Sequence, residues 1–253
     1  MSDWYNLADP DQRATGVNAA RDALRRGDLV VLPTDTVYGV GADAFSPGAV
    51  RALLMAKGRG RDMPVPVLVG SWHTLEGLVS GVPKVVLGMV EAFWPGGLTI
   101  IVRHAPSLAW DLGDSHGTVA VRMPSHPAAL ELLAETGPMA VSSANRTGQP
   151  PAVTITLARE QLGEDVAVYL DDGPCADPVP STIVDATGER VTVRRVGALP
   201  VARLREVVPD LLVPPELADG SDGSGGSGQS SNGGGHSSGR PDQNEEHPSG
   251  GSG

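Results

Sequence analysis

The chain has 253 residues, with 30 acidic against 19 basic side chains, a net charge of −11, 33 glycines, 22 prolines and one cysteine. No stretch approaches the roughly 18 consecutive apolar residues of a spanning helix, the lone Cys175 excludes an internal disulfide or a multi-cysteine zinc site, and the acid excess speaks against a broad nucleic-acid footprint. The start, MSDWYNLADPDQRATG, has no basic segment leading into an apolar run, so the expectation is a soluble cytoplasmic protein without membrane contact.

In chain order, TGVNAARDALRR (15–26) places Val17, Ala20, Ala23 and Leu24 at helical spacing, and Gly27 stops that helix. DLVVLPT follows as a short buried strand. Ser46-Pro47 supplies an N-cap and a first-turn proline for a helix through Met55. Val65 to Val69 reads as a strand, residues 83–93 as a helix broken by Trp94-Pro95-Gly96-Gly97, and LTIIVR and TVAVR (118–122) as strands. Residues 126–135 read as a helix and PMAVSS (138–143) as a strand running into a loop. AVYLD, STIVDA and RVTVRR are further strands before a helix near Val201 to Val208. Interleaved strands and helices predict an α/β domain with a substantial sheet.

From Gly220 the chain has no aliphatic or aromatic residue. Such a segment buries too little apolar surface to offset its ordering entropy. The expected organisation is one domain over residues 1–213 and a disordered, Gly/Ser-rich acidic tail over 214–253. Six acids and one base fall in that tail, so residues 1–213 keep −6 of the −11.

Small polar and basic residues collect after the predicted strands, where α/β folds bind ligands. Leu32-Pro33-Thr34-Asp35-Thr36-Val37-Tyr38-Gly39-Val40-Gly41 follows the first buried strand with two hydroxyls, a carboxylate and a phenol; taken alone, a polar turn is the favoured reading. Lys57-Gly58-Arg59-Gly60-Arg61 ends a helix. It reads either as cations on a helix dipole or as a phosphate clamp, an ammonium and a planar guanidinium two residues apart. It is not a P-loop, since no G-x-x-x-x-G-K-[ST] occurs. Ser142-Ser143-Ala144-Asn145 follows a strand without the G-x-S-x-G of a nucleophile elbow, and an Asx turn explains it as well. Ser181-Thr182, Arg122 and Arg194-Arg195 also fall at strand ends. Several bases and hydroxyls converging there fit an anionic substrate. The histidines lack paired ligand spacing, so no protein metal site is expected.

Thr34-Asp35-Thr36-Val37-Tyr38-Gly39, Lys57-Gly58-Arg59, Phe93-Trp94-Pro95-Gly96-Gly97-Leu98-Thr99, Thr118-Val119-Ala120-Val121-Arg122, Ser143-Ala144-Asn145 and Ser181-Thr182-Ile183-Val184-Asp185 occur in this order. The set, from about Gly27 to Leu199, resembles the threonylcarbamoyl-AMP synthase family with its YrdC-like fold, in a short single-domain form. The resemblance implies a twisted mixed α/β sheet with flanking helices around a concave cavity. It implies formation of threonylcarbamoyl-AMP and pyrophosphate from L-threonine, bicarbonate and ATP, with Mg2+ accompanying the triphosphate. The product would pass to partner proteins that modify tRNA, and direct tRNA binding by this chain is left open. Lys57, Arg59, Ser143 and Asn145 would be the catalytic set. Those four with Met63, Thr118 and Arg195 would bind ATP, and Thr34, Thr36, Leu68, Arg122, Ser142 and Ser181 would bind threonine. The sequence departs from the family in three places: Gly60 stands for a proline, Leu68 for a histidine near threonine, and Pro151-Ala152-Val153 for S-P-T. A non-catalytic RNA-binding module and a paralogue performing another carbamoyl or adenylate transfer are the competing readings.

Overall fold

The computed structural model describes residues 2–218; the greater part of the expected tail lies outside the described residues. In chain order the elements are β1 (Asp3–Asn6), α1 (Pro10–Arg26), β2 (Val30–Leu32), β3 (Gly39–Asp43), α2 (Pro47–Lys57), β4 (Val67–Leu68), α3 (Thr74–Leu78), α4 (Lys84–Phe93), β5 (Leu98–Arg103), β6 (Thr118–Arg122), α5 (Pro127–Thr136), β7 (Met139–Ser143), α6 (Ile155–Leu162), β8 (Val168–Asp171), β9 (Thr182–Asp185), β10 (Thr192–Arg195), α7 (Val201–Val207) and α8 (Pro215–Ala218).

Helix ends follow local chemistry. Asp9 caps α1 by accepting from the Asp11 and Gln12 amides, and Gly27 closes it in the left-handed region at φ 86°. Ser46 caps α2 by accepting from the Ala49 amide, and Gly58 ends it at φ 61°. That left-handed turn sends the chain away from the helix directly after Lys57.

The strands form one mixed sheet in the order β1-β8-β2-β3-β7-β4-β6-β5-β9-β10. β2 and β8 are parallel, as are β4 and β6 and also β5 and β9; β3 runs antiparallel to β2 and β7. The pleat splits the core. Val31, Val40, Ala42, Ala140, Val121 and Val184 face α2, α4, α6 and α7. Val30, Leu32, Leu68, Met139, Val141 and Val168 face α1 and α5, whose Val17, Ala20, Leu24, Ala129, Leu132 and Leu133 are buried against them. Each buried leucine there contributes about 1.5–3 kcal/mol. Gly39 and Gly41 let β7 side chains lie across β3: a Cβ at Gly39 would stand 2.7 Å from Val141 Cγ1, and at Gly41 2.6 Å from Met139 Cε. Helices α1 and α5 cover the β8-β2-β3-β7 half of their face. On the β6-β5-β9-β10 half the alternate residues Arg122, Thr99, Ile183 and Arg195 are left to line a hollow.

Candidate functional site

The hollow is a cavity of about 240 Å³ whose wall includes Thr34, Thr36, Leu68, Arg59, Arg122, Ser142, Ser143, Ser181 and Arg195. A larger surface depression, about 620 Å³, lies beside β1 and α6, but there Glu160, Glu164 and Asp171 outnumber Arg159 and no cations converge.

Among the cations of the cavity wall Arg122 is the most enclosed, 6% exposed at the end of β6. Its Nε donates to the Gly96 carbonyl at 2.8 Å and its Nη1 to the Thr36 hydroxyl at 2.9 Å. The hydroxyls beyond it have fixed donor roles. Thr34 Oγ1 donates to the Val37 carbonyl at 2.6 Å, so at its 3.1 Å contact with Thr36 it accepts and Thr36 donates. The chain Arg122, Thr36, Thr34, Val37 is therefore satisfied from end to end. Asp35 lies 2.7 Å from Arg122 Nη2, and its carboxylate also accepts from the Ser125 amide at 2.9 Å. Asp35 is thus the ion-pair partner of Nη2, which makes no further hydrogen bond among the described residues. Burial lowers the Arg122 pKa and Asp35 opposes that shift.

Arg195 reaches the same face through a bulge. Val193 pairs with Val184 but Arg195, not Arg194, pairs with Ile183. The extra residue turns Arg195 into the cavity, while Arg194 pairs with Asp185 at 2.7 Å on the outside. The Arg195 guanidinium is held by the Ser181 carbonyl at 3.0 and 2.8 Å and by the Ser181 hydroxyl at 3.1 Å, which in turn meets Thr99 Oγ1 at 2.8 Å. Arg59, just beyond α2, donates to the Ser142 hydroxyl at 3.2 Å and the Pro64 carbonyl at 3.3 Å; its buried Nε has no partner among the described residues.

Lys57 is 3% exposed and stands behind this wall. Its ammonium donates to the carbonyls of Ser143 and Asn145, both at 2.6 Å, and lies 3.5 Å from the Asn145 amide oxygen. Burial, and then the charge of Arg59, push its pKa down to about 8. Asn145 spends both amide protons on the Arg146 and Gln149 carbonyls, at 2.9 and 2.7 Å. Lys57 and Asn145 thus pin the turn after β7, and Ser142 and Ser143 stay at the cavity wall. Met63 and Thr118 do not line the cavity; the Thr118 hydroxyl donates to the Ser115 carbonyl at 2.8 Å.

Nine of the thirteen residues singled out in the sequence therefore share one cavity, and Lys57, Asn145, Met63 and Thr118 stand outside its wall. Asp35, Gly96 and Thr99 receive no site role from the sequence, although all three sit inside motifs already marked. Their roles depend on pairings across 87, 26 and 82 positions that no local pattern carries.

Electrostatically this is a site for anions. Burial lowers the pKa of Arg59, Arg122 and Arg195, and Arg122 lowers that of Arg195 further. An incoming anion relieves both costs, and the buried Arg59 Nε has no partner among the described residues.

Comparison with known proteins agrees with this geometry. The sequence profile of the Sua5/YciO/YrdC family, described as telomere recombination, matches residues 22–197. A Mycobacterium leprae protein, provisionally named a threonylcarbamoyl-AMP synthase, is 61% identical over 208 residues, covering 82% of this chain and 94% of that one. A threonylcarbamoyl-AMP synthase of Bacillus subtilis is 34% identical over 221 residues, covering 87% of this chain and 62% of its own. The crystal structure of Pyrococcus abyssi Sua5 complexed with L-threonine superposes with a TM-score of 0.77 at 29% identity, over 85% of this chain and 63% of that one. The chain thus spans less than two thirds of the Bacillus and Pyrococcus proteins.

Proposed function

The chain belongs to the Sua5/YciO/YrdC family, and from that membership we propose that it is an L-threonylcarbamoyladenylate synthase, a nucleotidyltransferase that makes threonylcarbamoyl-AMP and pyrophosphate from L-threonine, bicarbonate and ATP. The observation that carries the reading is the gathering of Arg59, Arg122 and Arg195 around one cavity, with hydroxyls of Thr34, Thr36, Ser142 and Ser181 beside them.

In this reading Arg122 pairs with the threonine carboxylate. Thr34, Thr36, Ser142 and Ser181 bond its amine and hydroxyl, and Leu68, buried at 5% exposure, packs against its methyl group. Arg59, Arg195 and Ser143 face the phosphates. Met63 and Thr118 contact the nucleotide beyond the cavity mouth, and Lys57 and Asn145 hold the Ser143 turn in register. The threonine amine forms a C–N bond to the bicarbonate carbon and water leaves, giving the carbamate; its oxygen attacks the α-phosphorus of ATP, a new P–O bond forms, and the bond from that phosphorus to the oxygen bridging to the β-phosphate breaks with its electron pair leaving on pyrophosphate. Two anions must meet, so the work of the site is charge neutralisation and alignment by donors already in place. Mg2+ enters with the triphosphate, held by phosphate oxygens and water; the carboxylate nearest the arginines, Asp35, is committed to Arg122 and the Ser125 amide. The product goes to the proteins that complete the tRNA modification. A cytoplasmic location follows from the reading, because ATP and tRNA are there.

The test is pyrophosphate release with ATP, bicarbonate and threonine. Release that depends on threonine is the expected result. Absence of threonine-dependent release at high protein concentration overturns the reading.

A further inference from the structure

Two residues beyond Arg59, Arg61 turns away from the cavity and engages the loop between β5 and β6. Its Nη1 and Nη2 donate to the two Asp111 carboxylate oxygens at 2.9 and 2.8 Å, and its Nε donates to Asp114 at 3.2 Å. The backbones dock as well. The Arg61 carbonyl accepts from the Asp114 amide at 2.8 Å, and the Val65 amide donates to the Leu112 carbonyl at 2.9 Å. Gly113 makes the approach possible: it sits at φ 103°, and a Cβ there would lie 2.8 Å from the Arg61 carbonyl oxygen. The β5–β6 loop has its own anchors. Leu112 is 3% exposed in the core, and Trp110 stacks on Phe45 at 5.7 Å.

The loop carrying Arg59 is thereby tied at both ends, by Lys57 to the turn after β7 and by Arg61 to the β5–β6 loop. We propose that the β5–β6 loop is a brace for the phosphate-facing cation loop, and that Arg61 is the positioning residue through which it sets affinity for the nucleotide more strongly than affinity for the amino acid. This rests on the synthase reading. The difference follows from the geometry: Arg122 is fixed by Gly96, Thr36 and Asp35, none of which touches the brace, and the braced loop reaches the amino-acid side only by the Arg59 contact with the Ser142 hydroxyl. The ion pairs themselves are solvated, with Arg61 54% and Asp111 37% exposed. Such pairs add little to global stability, so a role confined to stability and a role in positioning give different results.

The experiment is calorimetric titration of the full chain with ATP and, separately, with threonine, alongside thermal melts. Arg61→Ala is expected to weaken ATP binding about three- to tenfold, the effect of losing one forked ion-pair network. Threonine affinity stays within about twofold and the melting temperature within about 2 °C, since distant groups with no shared partner act independently. Arg61→Asp weakens ATP further, and adding Asp111→Arg to it restores part of the loss. Wild type that binds ATP while Arg61→Ala binds it equally well, or loses threonine affinity to the same degree, overturns the brace alone. Wild type that binds no ATP overturns the synthase reading and the brace with it.

Discussion

Lys57 holds a charge in a place that resists charge. It is 3% exposed beside Arg59, its pKa is pushed down to about 8 from 10.5, and its protons serve two carbonyls. Two pH effects of opposite sign follow. The turn bearing Ser143 is held by an ammonium, so synthase activity falls as pH rises through about 8, readable as a pH–rate profile. Stability moves the other way. Between about pH 8 and 10.5 the unfolded chain binds the proton that the folded chain has released, so the free energy of unfolding gains from this group as pH rises. Urea unfolding of wild type and Lys57→Met at two pH values inside that window checks it: wild type gains on the variant at the higher pH. Thr36 allows a cleaner test of the amino-acid side. Its hydroxyl accepts from Arg122 and donates to Thr34. Thr36→Val keeps the shape and leaves a buried guanidinium proton unmet, a cost of about 1–3 kcal/mol. The expected result is a KM for threonine raised about tenfold or more with the KM for ATP little changed.

At the scale of elements, segments with strong local signals were readable and those defined by distant partners were not. The Ser46-Pro47 start of α2 and the Gly27 end of α1 are written in adjacent residues, and both occur as expected. The start of α1 was placed at 15, yet Asp9-Pro10 carries the same cap-and-proline signal and the helix begins at Pro10. β3 carries no strand signal, because GVGAD lacks a β-branched run; β2 and β7 on either side make it one. β1, with Trp4 at the sheet edge, is likewise made by its pairing with β8, whereas α6 has a local signal, the Thr154 cap with Ile155, Ala158 and Leu162 on one face, that the chain-order reading omits. The bulge that selects Arg195 over Arg194 is likewise invisible in RVTVRR. The segment after β10 is stapled by one hydroxyl: buried Thr182 Oγ1 donates to the Leu199 carbonyl at 2.7 Å and accepts from the Gly197 and Leu199 amides at 2.9 and 3.1 Å. Thr182→Val strands all three backbone groups, and a loss of about 2–4 kcal/mol in urea unfolding is expected. Thr182→Ser, which keeps the hydroxyl, should lose much less.

Across the whole molecule the charges are sorted by depth. The chain is net acidic, yet Lys57, Arg59, Arg122 and Arg195 are gathered in or behind one cavity. On the outside, Arg13, Arg21, Arg26, Arg146, Arg194 and Arg203 each sit against a carboxylate. Composition alone made the acid excess legible; the inward sorting of the cations needed the fold. A small anion that enters the cavity meets concentrated positive charge, whereas a polyanion lying across the surface meets arginines of which many are ion-paired, on a chain of net negative charge. Polyanion affinity is mostly electrostatic, so the chain alone is expected to bind unmodified tRNA with a Kd weaker than about 10 µM at 150 mM salt, near the middle of the non-specific range. ATP and threonine should still bind under those conditions. Removing residues 219–253 takes away five acids and one base. That change should leave both small-ligand affinities and the melting temperature as they are and raise tRNA affinity by no more than a few-fold. Filter binding at 50 and 150 mM salt on both chain lengths checks this. Tight tRNA binding that survives the higher salt, in a chain that takes up no nucleotide, would instead make this fold an RNA-binding module, with its cationic hollow serving a phosphate of the RNA backbone.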